Sequence, residues 1–230
     1  MDIFGEALQD QFIKGTTETL WLHNSYDTPE EMPVDVFFRG SEDMPEIELK
    51  ALELCRGTVL DAGAGAGSHA LWLQQKKIEV TALDISEKAT SIMKQRGVKQ
   101  VLQQDLFSLK GQQFDTLLLL MNGIGLTGSI AGLQDFLQWS KCLLKKDGQL
   151  LFDSSDIAYL YQDIDFPQNK YYGEVAYQYE YKQQKGNWFN WLYVDQAMLL
   201  KLAKEAGWQC EIVLEDEYDQ YLAQLRLTTR

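Results

Sequence analysis

The residues best placed to do chemistry lie around Asp61-Ala62-Gly63-Ala64-Gly65-Ala66-Gly67, which an apolar run enters and an apolar helix pattern (Leu71, Trp72, Leu73) leaves. That order predicts a strand, a tight turn and a helix start. Glycines at alternate positions let the backbone take positive φ and leave no Cβ in the path of a ligand. The free N–H groups at the start of the following helix favour the negative end of whatever binds there. The spacing is not that of a dinucleotide loop, which wants glycine or alanine at position 68, where Ser68 stands. Further acids follow at intervals: Asp84, Asp105, and the pair Asp153 and Asp156 in Asp153-Ser154-Ser155-Asp156. His69 stands at the expected helix start, and His23 reads as structural.

The elements that must position these groups alternate between strand and helix. Strands are expected at 58–60, 79–83, 100–103, 114–120 and 149–152, with helices at 68–76, 86–96 and 130–144 between them. Ser86 caps one helix and Gly97 stops it. The mostly apolar run 114–120 is the kind that a buried parallel strand shows. Alternation of this sort implies right-handed crossovers and a doubly wound, mostly parallel α/β sheet.

Two stretches break the alternation. Residues 1–50 read as a helix ending near Gly15, a short strand at 19–23, a polar loop, an aromatic segment at 33–40 and a second helix with Pro45 in its first turn. Residues 154–194 carry an aperiodic, Tyr-rich stretch. Two strands then follow at 174–182 and 188–194, around Gln183-Gln184-Lys185-Gly186-Asn187. The expected organisation is a cap segment at 1–50 and a core domain at 51–230 with an inserted cap at 154–194. Asp195 caps a last helix, and strands at 209–214 and 221–227 close the chain as an antiparallel pair.

Asp-x-Gly-x-Gly-x-Gly after an apolar strand resembles motif I of the class I S-adenosylmethionine (SAM) dependent methyltransferases, and the resemblance extends over about 50–227. It implies a seven-stranded sheet whose last strand inserts antiparallel. It also implies cofactor roles for Asp61, Gly63, Ala64 and Gly65 in the loop. Asp84, with Ile85 beside it, matches the acid that holds the ribose hydroxyls, because one carboxylate accepts from two vicinal hydroxyls. Asp105 and Leu106 match the position beside adenine, and Met121 and Asn122 the segment beneath the transferring methyl group. The whole pattern looks like a group of small bacterial methyltransferases of unassigned substrate.

A departure narrows the substrate. Amino-group DNA methylases carry [Asp/Asn]-Pro-Pro-aromatic where this chain has Asn122-Gly123-Ile124-Gly125. The formal charge of −13, from 21 basic and 34 acidic residues, repels a phosphate backbone. The expected acceptor is therefore a small molecule and not nucleic acid. Arg39, Asn122, Asp153 and Tyr172 are expected to contact it, and Asp153, Asp156 and His69 are the candidates for a proton acceptor. The rival readings are a non-catalytic SAM-binding sensor or partner subunit and a nicotinamide-dependent oxidoreductase.

Cys55, Cys142 and Cys210 form neither a metal pattern nor a disulfide frame, so no metal is expected. The start of the chain lacks the basic and apolar regions of a signal peptide, and the longest apolar run, 117–121, is far below a span of ~20 residues. A cytoplasmic protein with no membrane partner is expected, with a homodimer left open.

Overall fold

The computed structural model describes residues 1–16, 18–163 and 165–227. The elements in chain order are α1 (Ile3–Lys14), β1 (Leu20–Asn24), β2 (Glu30–Met32), α2 (Glu46–Leu54), β3 (Thr58–Ala62), α3 (Ser68–Gln75), β4 (Glu79–Asp84), α4 (Glu87–Arg96) and β5 (Gln100–Gln103). They continue with β6 (Phe114–Leu119), α5 (Ile130–Trp139), β7 (Leu144–Ser155), β8 (Glu174–Tyr181), β9 (Gln184–Lys185), β10 (Phe189–Leu192), α6 (Gln196–Glu205), β11 (Trp208–Glu215) and β12 (Gln220–Leu227). Among the described residues, no helix is long and apolar enough to cross a membrane.

The main sheet has seven strands in the order β11-β12-β7-β6-β3-β4-β5. It is mostly parallel: β4 runs with β5 and β6 with β7, while β12 is antiparallel to both β7 and β11. This is the doubly wound α/β architecture with an inserted antiparallel last strand. A second sheet, in the order β10-β8-β1-β2 with β9 on β8, joins the front strands to the late hairpin. β2 falls in the stretch that composition marks as polar loop. It pairs with β1 through Leu20 opposite Met32 and Leu22 opposite Glu30, so register and not composition makes it a strand.

The chain falls into two compact units. The first comprises residues 1–44, 60–109 and 176–189. Its core gathers Ile3, Ala7 and Leu8 of α1, Leu20, Ala66, Ile92 and Tyr181. Asp2 starts α1 by accepting from the Gly5 N–H at 2.8 Å, and Ser86 starts α4 by accepting from the Ala89 N–H at 3.0 Å. These side-chain oxygens satisfy donors that a helix start leaves open.

The second unit comprises 45–59, 110–175 and 190–230. Its strands β6 and β7 bury nearly continuous apolar runs, Leu117–Leu119 and Leu150–Phe152, as a covered strand must. The strand expected at 149–152 begins earlier, at Leu144, so the Lys146-Asp147-Gly148 stretch lies inside β7. The register jumps there from Leu144 opposite Phe114 to Gln149 opposite Thr116, and the chain continues as one strand. Asp147 takes φ +64° at this bulge, and its carbonyl accepts from Arg56 Nη2 at 2.6 Å. α5 ends at Trp139, and the remainder of the expected helix tightens into a 3-10 turn, Ser140–Leu143.

Candidate functional site

In the first unit, β3 delivers the chain into the glycine loop with Asp61 buried at its end. Gly63 and Gly65 both take left-handed backbone, φ +77° and +54°. The N–H groups of Gly63 and Ala64 both donate to the Leu83 carbonyl, at 2.9 and 3.0 Å, which folds the loop against β4. Gly67 (φ +83°) serves packing: a Cβ there would stand 2.9 Å from Met93 and Val98 side-chain carbons. At Gly65 a Cβ would meet only the Phe37 ring within 4 Å, at 3.5 Å.

Asp84, the last residue of β4, is buried. Its Oδ2 accepts from the Gly65 N–H at 2.9 Å and its Oδ1 from the Ser86 N–H at 2.9 Å. Burial pushes its carboxyl up, against the pull of these two donors. A carboxylate offers about four acceptor sites, so two bonds hold it in place without exhausting it. Ile85, next in the chain, is 71% exposed.

Asp105 caps a short 3-10 turn, Leu106–Ser108, by accepting from the Phe107 N–H at 3.2 Å, and Leu106 is buried beneath it. His69 lies buried in the first turn of α3, and Arg39 follows the 3-10 turn Asp35–Phe38.

Sequence reasoning missed Arg96, and a second role of Ser86 beyond its cap, in fixing this half. Arg96, at the end of α4, donates from Nη1 to the Ala66 carbonyl (2.7 Å) and Ser68 Oγ (3.2 Å), and from Nη2 to the Phe38 carbonyl (3.2 Å). Its guanidinium also lies over the Phe38 ring at 5.1 Å. It therefore ties the glycine loop, the start of α3 and the aromatic segment to one cation. Ser86 Oγ donates to Asp2 Oδ2 at 2.5 Å, joining the first residues of the chain to the turn after Asp84. An arginine before a helix-stop glycine and a serine N-cap look ordinary in sequence, and nothing local announces these partners.

In the second unit β6 ends in two successive non-glycine residues in the left-handed region, Met121 (φ +62°) and Asn122 (φ +54°). Such backbone costs of order 1–3 kcal/mol per residue and persists where neighbours over-determine it. Here the turn aims the Asn122 N–H at Asp153 Oδ2, 3.0 Å away, while Asn122 Oδ1 accepts from Ser155 Oγ at 3.0 Å. Gln220 Nε2, from β12, donates to the same Asp153 Oδ2 at 2.7 Å.

Asp153 is fully buried, and its Oδ1 has no hydrogen-bond partner among the described residues. Burial pushes its carboxyl up to about 6, with the charge of buried Glu48 on α2 adding to the rise. Gln220 and Glu48 were not foreseen. Strand register brings Gln220 opposite Ser155, a placement no local motif encodes.

Asp156 belongs to a neighbouring cluster. Its Oδ1 accepts from Tyr172 Oη (2.7 Å) and the Ala158 N–H (2.9 Å), and Tyr171 Oη donates to Asp195 Oδ2 at 2.5 Å. Burial, with the carboxylates beside them, holds both phenols above the usual tyrosine range. The structure thus joins Gly65 to Asp84, Asn122 to Asp153, and Tyr172 to Asp156. Asp105, His69 and Arg39 stand on other elements: the start of a 3-10 turn, the first turn of α3 and the end of a second 3-10 turn.

Comparison with known proteins bears on the whole chain. The family described as methyltransferase domain matches residues 59–148. A SAM-dependent methyltransferase from Bacteroides fragilis, solved in complex with S-adenosyl-L-homocysteine, is 38% identical with a TM-score of 0.92. The match covers 99% of this chain and 95% of that one. The CcbJ methyltransferase from Streptomyces caelestis shares the fold at 14% identity and a TM-score of 0.67, over 99% of this chain and 98% of that one. YqeM of Bacillus subtilis, which carries a methyltransferase name, is 29% identical over 120 residues. That is 48% of this chain, and the match spans about half of the relative, 49% of its length.

Proposed function

The chain belongs to the SAM-dependent methyltransferases, and from that premise we propose that it transfers a methyl group to a small-molecule acceptor. The observation that carries the cofactor assignment is the Gly65–Asp84 hydrogen bond, in a loop where a Cβ on Gly65 would meet only the Phe37 ring within 4 Å. On this reading the bond holds ready a carboxylate with acceptor capacity to spare for a pair of ribose hydroxyls. The residues fit the cofactor: Asp61, Gly63, Ala64 and Gly65 form its backbone cradle and Asp84 takes the ribose hydroxyls. Ile85, Asp105 and Leu106 flank adenine, and Met121 and Asn122 face the reacting end. When bound, SAM supplies a methyl group already activated by its sulfonium.

The chain's own task is then alignment, exclusion of water and, where the acceptor must lose a proton, its removal. Asn122, Asp153 and Tyr172 are the acceptor contacts, and Arg39 serves an anionic group of acceptor or cofactor. Asp153 is the first choice of proton acceptor, ahead of Asp156 and His69. It alone among the three carries a buried carboxylate oxygen with no donor on it. The net charge of −13 argues against nucleic acid as acceptor, and a cytoplasmic location without membrane partner completes the reading.

The deciding experiment measures SAM binding by calorimetry and S-adenosylhomocysteine release in a metabolite mixture. Binding with turnover supports transfer, binding without turnover in any mixture points to a sensor, and no binding of SAM refutes the assignment.

A further inference from the structure

We propose that the acceptor is an amine, held through its protonated nitrogen by Asp153 Oδ1. The inference rests on the reading of Asp153 as proton acceptor and names the substrate class for that site. A buried carboxylate oxygen without a donor is costly, and native structures rarely leave one. Asp153 has two oxygens in opposite states. Oδ2 is held from two sides by the Asn122 N–H and Gln220 Nε2, and the left-handed backbone at Asn122 fixes the first of these. Oδ1 has none. The chain has therefore locked the carboxylate's orientation through one oxygen while leaving the other, buried, without a donor of its own.

Charge selects among donors. Two further carboxylates of this unit, Asp156 and Asp195, take their hydrogen bonds from neutral groups, namely tyrosine hydroxyls and backbone N–H. No described lysine or arginine forms an ion pair with Asp153, Asp156 or Asp195. An acidic acceptor would meet repulsion here, whereas an ammonium both donates to Oδ1 and offsets the buried charge.

Proton affinity selects further. A carboxyl near 6 lies about four units below an alkylammonium (~10.4), a gap that general-base catalysis spans. It lies about ten units below a hydroxyl with an acidity near that of water (~15.7). The step balances as follows. The ammonium gives one proton to Asp153 Oδ1, and the freed nitrogen lone pair forms the N–C bond while the C–S bond breaks. The products are a methylammonium, the neutral thioether S-adenosylhomocysteine and a protonated Asp153, which returns its proton to solvent.

The test uses three probes on one skeleton, phenethylamine, 2-phenylethanol and phenylacetate, with hexylamine, hexanol and hexanoate as a second set. Thermal shift is measured on the chain alone at millimolar probe, and S-adenosylhomocysteine release is measured with SAM. The amines should raise the melting temperature and turn over, and the alcohols and carboxylates should do neither. Asp153→Asn should abolish the amine shift and cut amine turnover by about 10²–10⁴-fold, with SAM affinity by calorimetry within about twofold. Gln220→Leu, which removes one of the two donors on Oδ2 while sparing Oδ1, should lower kcat for the amine and leave SAM affinity unchanged. The proposal is overturned if alcohols or carboxylates are preferred, if no amine shifts the melting temperature, or if Asp153→Asn keeps amine binding and turnover. The thermal-shift arm needs no cofactor. Failure of SAM to bind would overturn the methyltransferase reading while leaving the amine result standing on its own.

Discussion

Two buried aspartates, Asp84 at the end of β4 and Asp153 two residues before the end of β7, stand in the two units of this molecule, and they are held in different ways. Asp84 gives one oxygen to the Gly65 N–H and the other to the Ser86 N–H, both backbone groups within 19 residues of it. Asp153 gives both of its contacts to one oxygen, and one of those donors, Gln220, comes from 67 residues away. The first arrangement is a rigid fixture whose carboxylate is locked into the loop it serves. The second keeps one oxygen unengaged inside a dry environment. A carboxylate fixed at both ends is suited to hold a ligand, and one fixed at a single end is suited to exchange a proton.

Substitutions can break the contrast, and the largest effect is expected in the glycine loop. Gly65→Val places a β-branched side chain at φ +54°, where left-handed backbone costs roughly 1–2 kcal/mol before any ligand is considered. It also brings side-chain atoms against the Phe37 ring, 3.5 Å from where the Cβ would stand. SAM affinity should fall by about 100-fold or more, with far-UV circular dichroism unchanged. Normal calorimetric binding by this variant would erase the distinction between the two sites.

Asp153 should reveal itself through pH. Its folded carboxyl lies near 6 against an ordinary 3.8, so between those values the folded state binds more protons than the unfolded chain. Stability must then fall as pH rises through that window, by up to about 3 kcal/mol relative to a variant that cannot ionise. Asp153→Asn should therefore gain on the native chain from pH 4 to 7 in urea titrations. Parallel curves for the two proteins would show that Asp153 is not the perturbed group.

Asp84→Ala should cost about 2–3 kcal/mol of SAM binding, the worth of charge-assisted hydrogen bonds lost, and leave amine-induced thermal shifts untouched. A matching loss of both would mean that the two sites act as one. The smallest effect is expected at Ser86→Ala, which removes the cap of α4 and the link to Asp2. About 1 kcal/mol of stability should go, measured as a fall in melting temperature with little change in turnover.

The asymmetry also explains what could be read in advance. The loop half is written locally: glycines at alternate positions, an acid ending the next strand, and serine before a helix are all short-range signals. The alternation of strands and helices gave the main sheet for the same reason. Asp153 and Asn122 could be marked as candidates from their places after apolar strands, but the donor that locks Asp153 depends on β12 register. Arg96 escaped notice because its three acceptors are two carbonyls and a hydroxyl spread from position 38 to 68. Backbone acceptors carry no residue identity for a sequence pattern to catch. The second sheet was hidden similarly, since β1 and β8 were each recognisable but their pairing was not.

That pairing has a consequence for how the chain is made. Leu22 lies opposite Tyr179 and His23 opposite Gln178, while His23 Nε2 reaches Glu180 Oε2 across 157 positions at 2.7 Å. At ~5–20 residues per second of synthesis, β1 and its β2 partner wait roughly 8–30 s on the ribosome before β8 emerges. Throughout that interval one edge of β1 presents unpaired N–H and C=O groups to every neighbouring nascent chain, the situation that invites edge-to-edge association. The exposed strand is five residues long, and β2 beside it carries Glu30 and Glu31. Shortness and negative charge are the features that let such an edge wait, so the acidic front of this protein guards its own assembly before its last partner strand exists.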